Sequence, residues 1–191
     1  STVSPINLGK ITTYASNFYF DGISSVAYSG DMKGNIWRFD LAKADSSPRA
    51  VRKIATLKNG GVDQPITTRI EVGRPLNAAE PILYVGTGRY VSIDDLSDSS
   101  VQSVYALRDP YYTESLEASP ATLLPNNIYG SPRSYAARPF VEQKITDESV
   151  TVAGIPQVVR KLSKNPVDLV GTDSGWLFDI PDNGELALIH I

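Results

Sequence analysis

No cysteine occurs among the 191 residues, which excludes disulfides, thiolate nucleophiles and cysteine-ligated zinc or iron–sulfur sites together. The single histidine, His190, lies beside the C-terminus, so a Ser-His-Asp hydrolase or a multi-histidine metal site has one candidate in a poor place. An enzyme built on those chemistries is not expected. No run approaches the roughly 18 apolar residues of a spanning helix, and residues 1–10 carry neither the basic nor the apolar segment of a secretory leader. The sequence reads as mature or as a fragment, without membrane insertion. A surplus of positive charge is also missing: 18 Lys+Arg against 21 Asp+Glu leave −3, which speaks against nucleic acid and anionic leaflets as partners.

What the chain does have is 14 Gly, 13 Pro and 10 Tyr beside a single Met, the make-up of many turns joining aromatic-rich extended segments. Short runs of Val, Ile, Tyr, Thr and Phe are bounded by Gly, Pro, Asn and Asp, with almost no sustained 3.6-residue period. The expectation is an all-β domain with strands over residues 23–29, 36–41, 51–57, 66–72, 82–85, 101–108, 140–145, 150–162 with an interruption near Pro156, 167–170, 176–180 and 185–189. Residues 42–50 read as a solvated loop. Residues 109–139 hold Pro110, Pro120, Pro125, Pro132 and Pro139 and read as an insertion that forms no long helix. No linker separates two cores, so residues 1–191 are read as part of one domain.

Two segments share a design. Gly30-Asp31-Met32-Lys33-Gly34-Asn35-Ile36-Trp37 and Gly171-Thr172-Asp173-Ser174-Gly175-Trp176 each place two glycines four residues apart, then an aromatic. Each is expected at the tip of an antiparallel hairpin, because paired glycines let the backbone tighten and reverse. A third strand and turn runs over residues 82–90. The first glycines, Gly30, Gly86 and Gly171, are spaced by 56 and then 85 residues, too unevenly for a WD40-type array. An irregular propeller fits.

Residues 28–41, reading YSGDMKGNIWRFDL, resemble the Y-A-G-D-L-x-G-N-L-W-R-F-D-L hallmark of the C-terminal domain of PilC/PilY-type proteins of bacterial type IV pili. The resemblance continues in order through Pro65-Ile66-Thr67-Thr68, Leu83-Tyr84-Val85-Gly86-Thr87-Gly88-Arg89-Tyr90, residues 94–109, and Gly175-Trp176-Leu177-Phe178-Asp179 up to Glu185. It implies a modified β-propeller within a much larger secreted, extracellular protein of the pilus tip. Such a protein supports pilus assembly and adhesion, with minor pilins or other tip components and a host-cell surface receptor as partners. At about 40 to 45 residues per blade, 191 residues make about four blades, a partial arc.

The family also carries a calcium loop just before the first hallmark strand. The corresponding segment here starts at Asn17 and includes Asp21, Gly22 and Ser25. Ca²⁺ takes six to eight oxygens with several carboxylates, and this loop offers one carboxylate, so calcium is expected to be weak or absent there and no other cofactor is expected.

Asp31, Asp40 and Asp179 fall at turns and strand ends and are read as acceptors of backbone N–H groups. The acidic run over residues 94–100 is read as a solvated loop with a cap-like turn rather than a cation site. Trp37 and Trp176 are weighed as packing residues between blades and as a carbohydrate platform, packing being favoured. In the insertion, Tyr111, Tyr112, Tyr129 and Tyr135 with Arg133 and Arg138 lack strand periodicity, and are expected to carry partner contact as exposed loop aromatics and guanidiniums. Two other classes compete with the non-enzymatic pilus reading. One is a quinoprotein-type propeller enzyme, which lacks the adjacent cysteine pair that would stack on a quinone. The other is a bare scaffold of the outer envelope with no adhesive role.

Overall fold

The computed structural model describes residues 7–15, 22–41, 50–75, 80–112 and 124–180. Four consecutive strands, β1 (Leu8–Tyr14), β2 (Val26–Asp31), β3 (Asn35–Asp40) and β4 (Val51–Thr56), form an antiparallel meander in that spatial order. The β2–β3 hairpin has Gly30 opposite Ile36 and turns through Met32, Lys33 and Gly34. The first paired-glycine segment therefore sits at the expected hairpin tip. Gly34 adopts φ +73° in a cramped place, where a Cβ would lie 2.6 Å from the Leu57 carbonyl oxygen and 2.7 Å from that of Gln64.

A short hairpin follows, β5 (Lys58–Asn59) with β6 (Val62–Asp63). The second large sheet is built from β7 (Glu71–Gly73), β8 (Ile82–Gly86), β9 (Ser103–Arg108), β10 (Phe140–Glu142) and, from the far end of the described chain, Gly175–Asp179. A long hairpin, β11 (Ile145–Val152) and β12 (Ile155–Leu162), stands between β10 and that last strand, β13. The spatial order is β10-β13-β9-β8-β7, antiparallel except for β10 beside β13. Two blade-sized sheets thus arise among the described residues, rather than four. The insertion and the β11–β12 hairpin consume chain that the blade arithmetic had assigned to further blades.

Both sheets contribute one face to a common core. Val26, Tyr28, Ile36 and Ile54 from the first meet Leu83, Val85, Tyr105, Leu107 and Leu177 from the second, with Leu57, Ile66 and Ile70 from the connecting segment. Period-2 alternation puts Leu177 into this core while its neighbours Trp176 and Phe178 point to the opposite face of the second sheet.

Four expectations need correction. Residues 167–170 form no strand, and 171–175 no hairpin tip: the Asp168 carboxylate accepts N–H bonds from Val170 (3.2 Å), Gly171 (2.7 Å) and Thr172 (3.3 Å). Such local side-chain bonds divert the backbone from a ladder. Gly175 instead opens β13. The interruption expected at Pro156 falls at Ala153 and Gly154, both at positive φ, the signature of a two-residue primed turn. Pro156 sits inside β12 opposite Thr151, at an outward-facing site of a two-stranded ribbon where a missing N–H breaks no bond. The run at 66–72 contributes only an isolated bridge from Ile66 to Gly88 and the strand β7 that starts at Glu71. The strand expected at 185–189 lies outside the described residues.

Candidate functional site

The turn between β2 and β3 is organised by Asp31. Its buried carboxylate accepts from the backbone N–H of Lys33 (2.8 Å) and Asn35 (2.9 Å), from Asn35 Nδ2 (2.8 Å) and from Trp37 Nε1 (2.8 Å). Both oxygens are occupied, so this acid is structural, in line with its reading as a turn carboxylate. Trp37 is thereby held by its ring N–H as well as by packing.

Between the sheets lies a second polar cluster. Asp109, which follows β9 and is fully buried, accepts from Tyr28 Oη (2.6 Å), Arg38 Nε (2.8 Å) and the Tyr111 N–H (3.0 Å). Burial, reinforced by the Asp109 carboxylate, pushes the Tyr28 phenol far above its ordinary value, so it serves as a permanent donor. Arg38 also reaches Asp40 at 3.3 Å. The cluster clamps β2 and β3 to the start of the insertion.

A third cluster holds the insertion's far end. Tyr105 Oη donates to Gln64 Oε1 (2.6 Å), Gln64 Nε2 donates to Ser103 Oγ (2.7 Å), and Ser103 Oγ donates to Asp179 Oδ1 (2.6 Å). Arg133 joins it by donating to Tyr105 Oη (3.2 Å), Ser103 Oγ (3.0 Å), the Lys58 carbonyl (3.1 Å) and, in an ion pair, Asp179.

These contacts revise the picture of the insertion. Tyr111 is 3% exposed and Tyr129 6%. Tyr111 Oη donates to the Pro125 carbonyl (2.7 Å) and to that of Lys53 (3.0 Å), while the Arg52 guanidinium lies over its ring. Tyr129 Oη donates to the Arg108 carbonyl, and its ring meets Tyr135 and Phe140 edge-on. The expectation that these two rings stand at the surface is therefore corrected: with prolines stiffening the loop, its rings fold back onto the core and brace it. Tyr112 and Tyr135 are half-buried, Tyr112 edge-on to Tyr14. Arg133 is engaged inwardly, and Arg138 donates to the Gly171 carbonyl.

The acidic run forms a short 3₁₀ turn over Ile93–Ser97, capped by the Asp95 carboxylate, which accepts the N–H groups of Val91 and Ser92 at 2.9 Å each. Those bonds hold the Asp95 carboxyl below its usual range. No group of three or more potential metal ligands occurs among the described residues. Asn17 and Asp21, the residues that match the family's calcium loop by sequence, lie outside the described residues. Gly22 adopts φ +62°, a conformation that favours glycine.

On the outer face of the second sheet lies a cavity of about 750 Å³. Trp176 and Phe178, two residues apart on β13, stack with planes 10° apart and centroids at 6.0 Å, and Tyr84 on β8 sits 6.3 Å from Trp176. Lys10, Arg69 and Arg160 line the same cavity together with one carboxylate, Glu71. Of these residues, only Trp176 was singled out from the sequence. The alternation Trp176-Leu177-Phe178 was a legible signal for the shelf, whereas the cations converge from three distant segments and left none.

No family model matches the chain. Over 196 aligned residues it is 26% identical to the type IV pilus biogenesis factor PilY1 of Pseudomonas aeruginosa strain PAO1, and equally to that of strain PAK; the match covers 87% of this chain and 16% of each relative. A PilY1 homolog of Xylella fastidiosa strain Temecula1 is 33% identical over 94 residues, 47% of this chain and 7% of that protein. The crystal structure of the P. aeruginosa PilY1 C-terminal domain superposes with a TM-score of 0.66 at 25% identity, covering 97% of this chain and 41% of that one. The chain is homologous to PilY1 and has the fold of part of its C-terminal domain, an open arc of a β-propeller. It spans about one sixth of the length of the full relatives.

Proposed function

We propose that this chain is part of the C-terminal propeller of a type IV pilus biogenesis factor, a non-enzymatic module that supports pilus assembly and adhesion from the extracellular tip. The observation that carries the reading is the homology to PilY1 over 87% of the chain, joined to the shared fold. The chemistry of the interior supports a non-catalytic role, because the buried acids Asp31, Asp95 and Asp109 all spend their oxygens on structural donors. Acids poised for catalysis keep an oxygen free to reach substrate. Partners of the whole protein are minor pilins or other tip components and a host-cell surface receptor. Among the described residues no helix is long and apolar enough to cross a membrane. Deleting the segment from the full-length gene tests the assembly role: surface pili are expected to be lost and restored by complementation. Normal piliation with impaired attachment would leave adhesion alone, and normal performance in both would overturn the reading.

A further inference from the structure

We propose that the Asn59–Gly60 peptide is a site of spontaneous covalent modification, where the Asn59 carboxamide reacts with the backbone and then with water to leave aspartate and isoaspartate. The two residues sit at the tip of the β5–β6 hairpin. Asn59 pairs with Val62, and the turn between them runs through Gly60 at φ +56° and Gly61 at φ +86°. Neither the Asn59 carboxamide nor the Gly60 N–H makes a hydrogen bond to any described residue, so both reacting groups are free. Gly60 is exposed, and nothing lies within 4 Å of the place a Cβ would take. Without a side chain, its nitrogen can approach the carboxamide closely.

The reaction needs only this chain and water. Gly60 N attacks Asn59 Cγ, a C–N bond forms, the Cγ–Nδ2 bond breaks, and ammonia leaves with the Gly60 amide proton, giving a cyclic succinimide. Water attack at Cγ then restores the ordinary peptide bond beside an aspartate side chain. Attack at the Asn59 backbone carbonyl instead leaves the chain running through Cβ and Cγ as isoaspartate. Either product replaces a neutral amide by a carboxylate next to the Lys58–Asp63 pair. In an extended strand the Gly60 nitrogen lies away from Cγ, so Asn59 has to leave its strand geometry first, and little resists that. The ladder consists of two residue pairs, and a lone two-stranded ribbon is marginal even when longer. The Lys58–Asp63 pair at 2.7 Å is 40% and 42% exposed, a setting in which ion pairs contribute little. Asn59 is the one described asparagine followed by glycine. By contrast, Asn35 Nδ2 is bound to buried Asp31, and Asn165 precedes Pro166, which has no N–H. The hairpin rises from the joint between the sheets rather than from a sheet face: at its base the Leu57 N–H donates to the Gly34 carbonyl and Gln64 Nε2 to Ser103 Oγ.

The inference stands on the hairpin alone and is independent of the pilus reading. The folded protein, aged in mildly alkaline buffer and sampled over time, tests it by peptide mapping with mass spectrometry and chromatographic separation of aspartyl from isoaspartyl isomers. The map also separates Asn59 from Asn183, which precedes a glycine too. Asn59 is expected to convert to both isomers, faster as pH rises, at a rate within about tenfold of that in a synthetic peptide of residues 56–65, because opening of so short a ribbon costs little. Passage through a globally unfolded state, populated at about 10⁻³ or less, could not sustain that rate. Asn59→Gln, at a half-buried tip position, is expected to abolish the products there, because the longer side chain closes its ring far more slowly. Conversion in the folded protein slower than that tenfold bound, aspartate without isoaspartate, or the same rate of deamidation in Asn59→Gln would each overturn the proposal.

Discussion

Arg38 Nε donates to Asp109 Oδ2 at 2.8 Å with both side chains buried, so the hairpin strand β3 and the residue that leaves β9 are joined by an ion pair inside the protein. Tyr28 Oη and the Tyr111 N–H donate to the same carboxylate, one to each oxygen. Removing one partner of such a pair leaves the other charge stranded. Arg38→Leu is therefore expected to lower the unfolding free energy by about 3–5 kcal/mol, read from urea denaturation with an unchanged slope. A loss under about 1 kcal/mol would show that the pair behaves like one in solvent.

Tyr28, Tyr105, Tyr111 and Tyr129 are all buried, and burial is the largest cause that raises each phenol above its ordinary value. In the unfolded chain these phenols ionise near pH ~10. The folded state keeps their protons to higher pH, so it binds more protons than the unfolded state above that point, and stability falls as pH rises. The expected slope is about 1.4 kcal/mol per pH unit for each buried phenol, starting at about pH 10. Phenolate absorbance should show these four groups ionising together with unfolding. Smooth ionisation of all tyrosines in the native protein would contradict their burial.

Gly34→Ala puts a methyl against the Leu57 and Gln64 carbonyls at a φ of +73°. The left-handed backbone alone costs an L-residue about 1–2 kcal/mol, and the contacts add to it, so a loss above about 2 kcal/mol is expected. Gly60→Asn is the matched control, with φ +56° and open space around it, and it is expected to be nearly neutral because Asn tolerates this region. Thermal unfolding of the two variants checks the difference, and equal effects would contradict the close approach at Gly34.

Tyr111→Ser removes a buried ring, two hydroxyl bonds and a guanidinium contact. A loss of about 3 kcal/mol or more is expected. Tyr112→Ser, at a half-buried ring with one edge contact, is expected to cost about 1 kcal/mol. Comparable small losses for both would return the insertion to a surface role and away from bracing.

The β2–β3 hairpin was legible because its glycines, its alternation and its Asp31 turn all demand one local geometry. The similar spacing of Gly171 and Gly175 misled, since a run of Asp, Gly, Thr and Asp can satisfy its backbone locally through Asp168 and Asp173. Strand β1 has little sequence signal because it lies at a sheet edge with no buried residue, and Gly9, Lys10, Thr12 and Thr13 are small or polar. In the insertion, composition correctly marked a proline-rich loop, but burial of Tyr111 and Tyr129 depends on partners such as Pro125, Arg52 and Phe140 that only the fold brings near. The aromatic half of the cavity was written in β13, while Lys10, Arg69 and Arg160 converge through tertiary structure alone.

The placement at the pilus is tested most directly by shearing. Pili sheared from the source bacterium and purified should carry the protein that contains this chain, detected by immunoblot, and the sheared fraction of a mutant lacking the major pilin should not. Retention of all the protein in the cell envelope, with no difference between the two strains, would contradict the account.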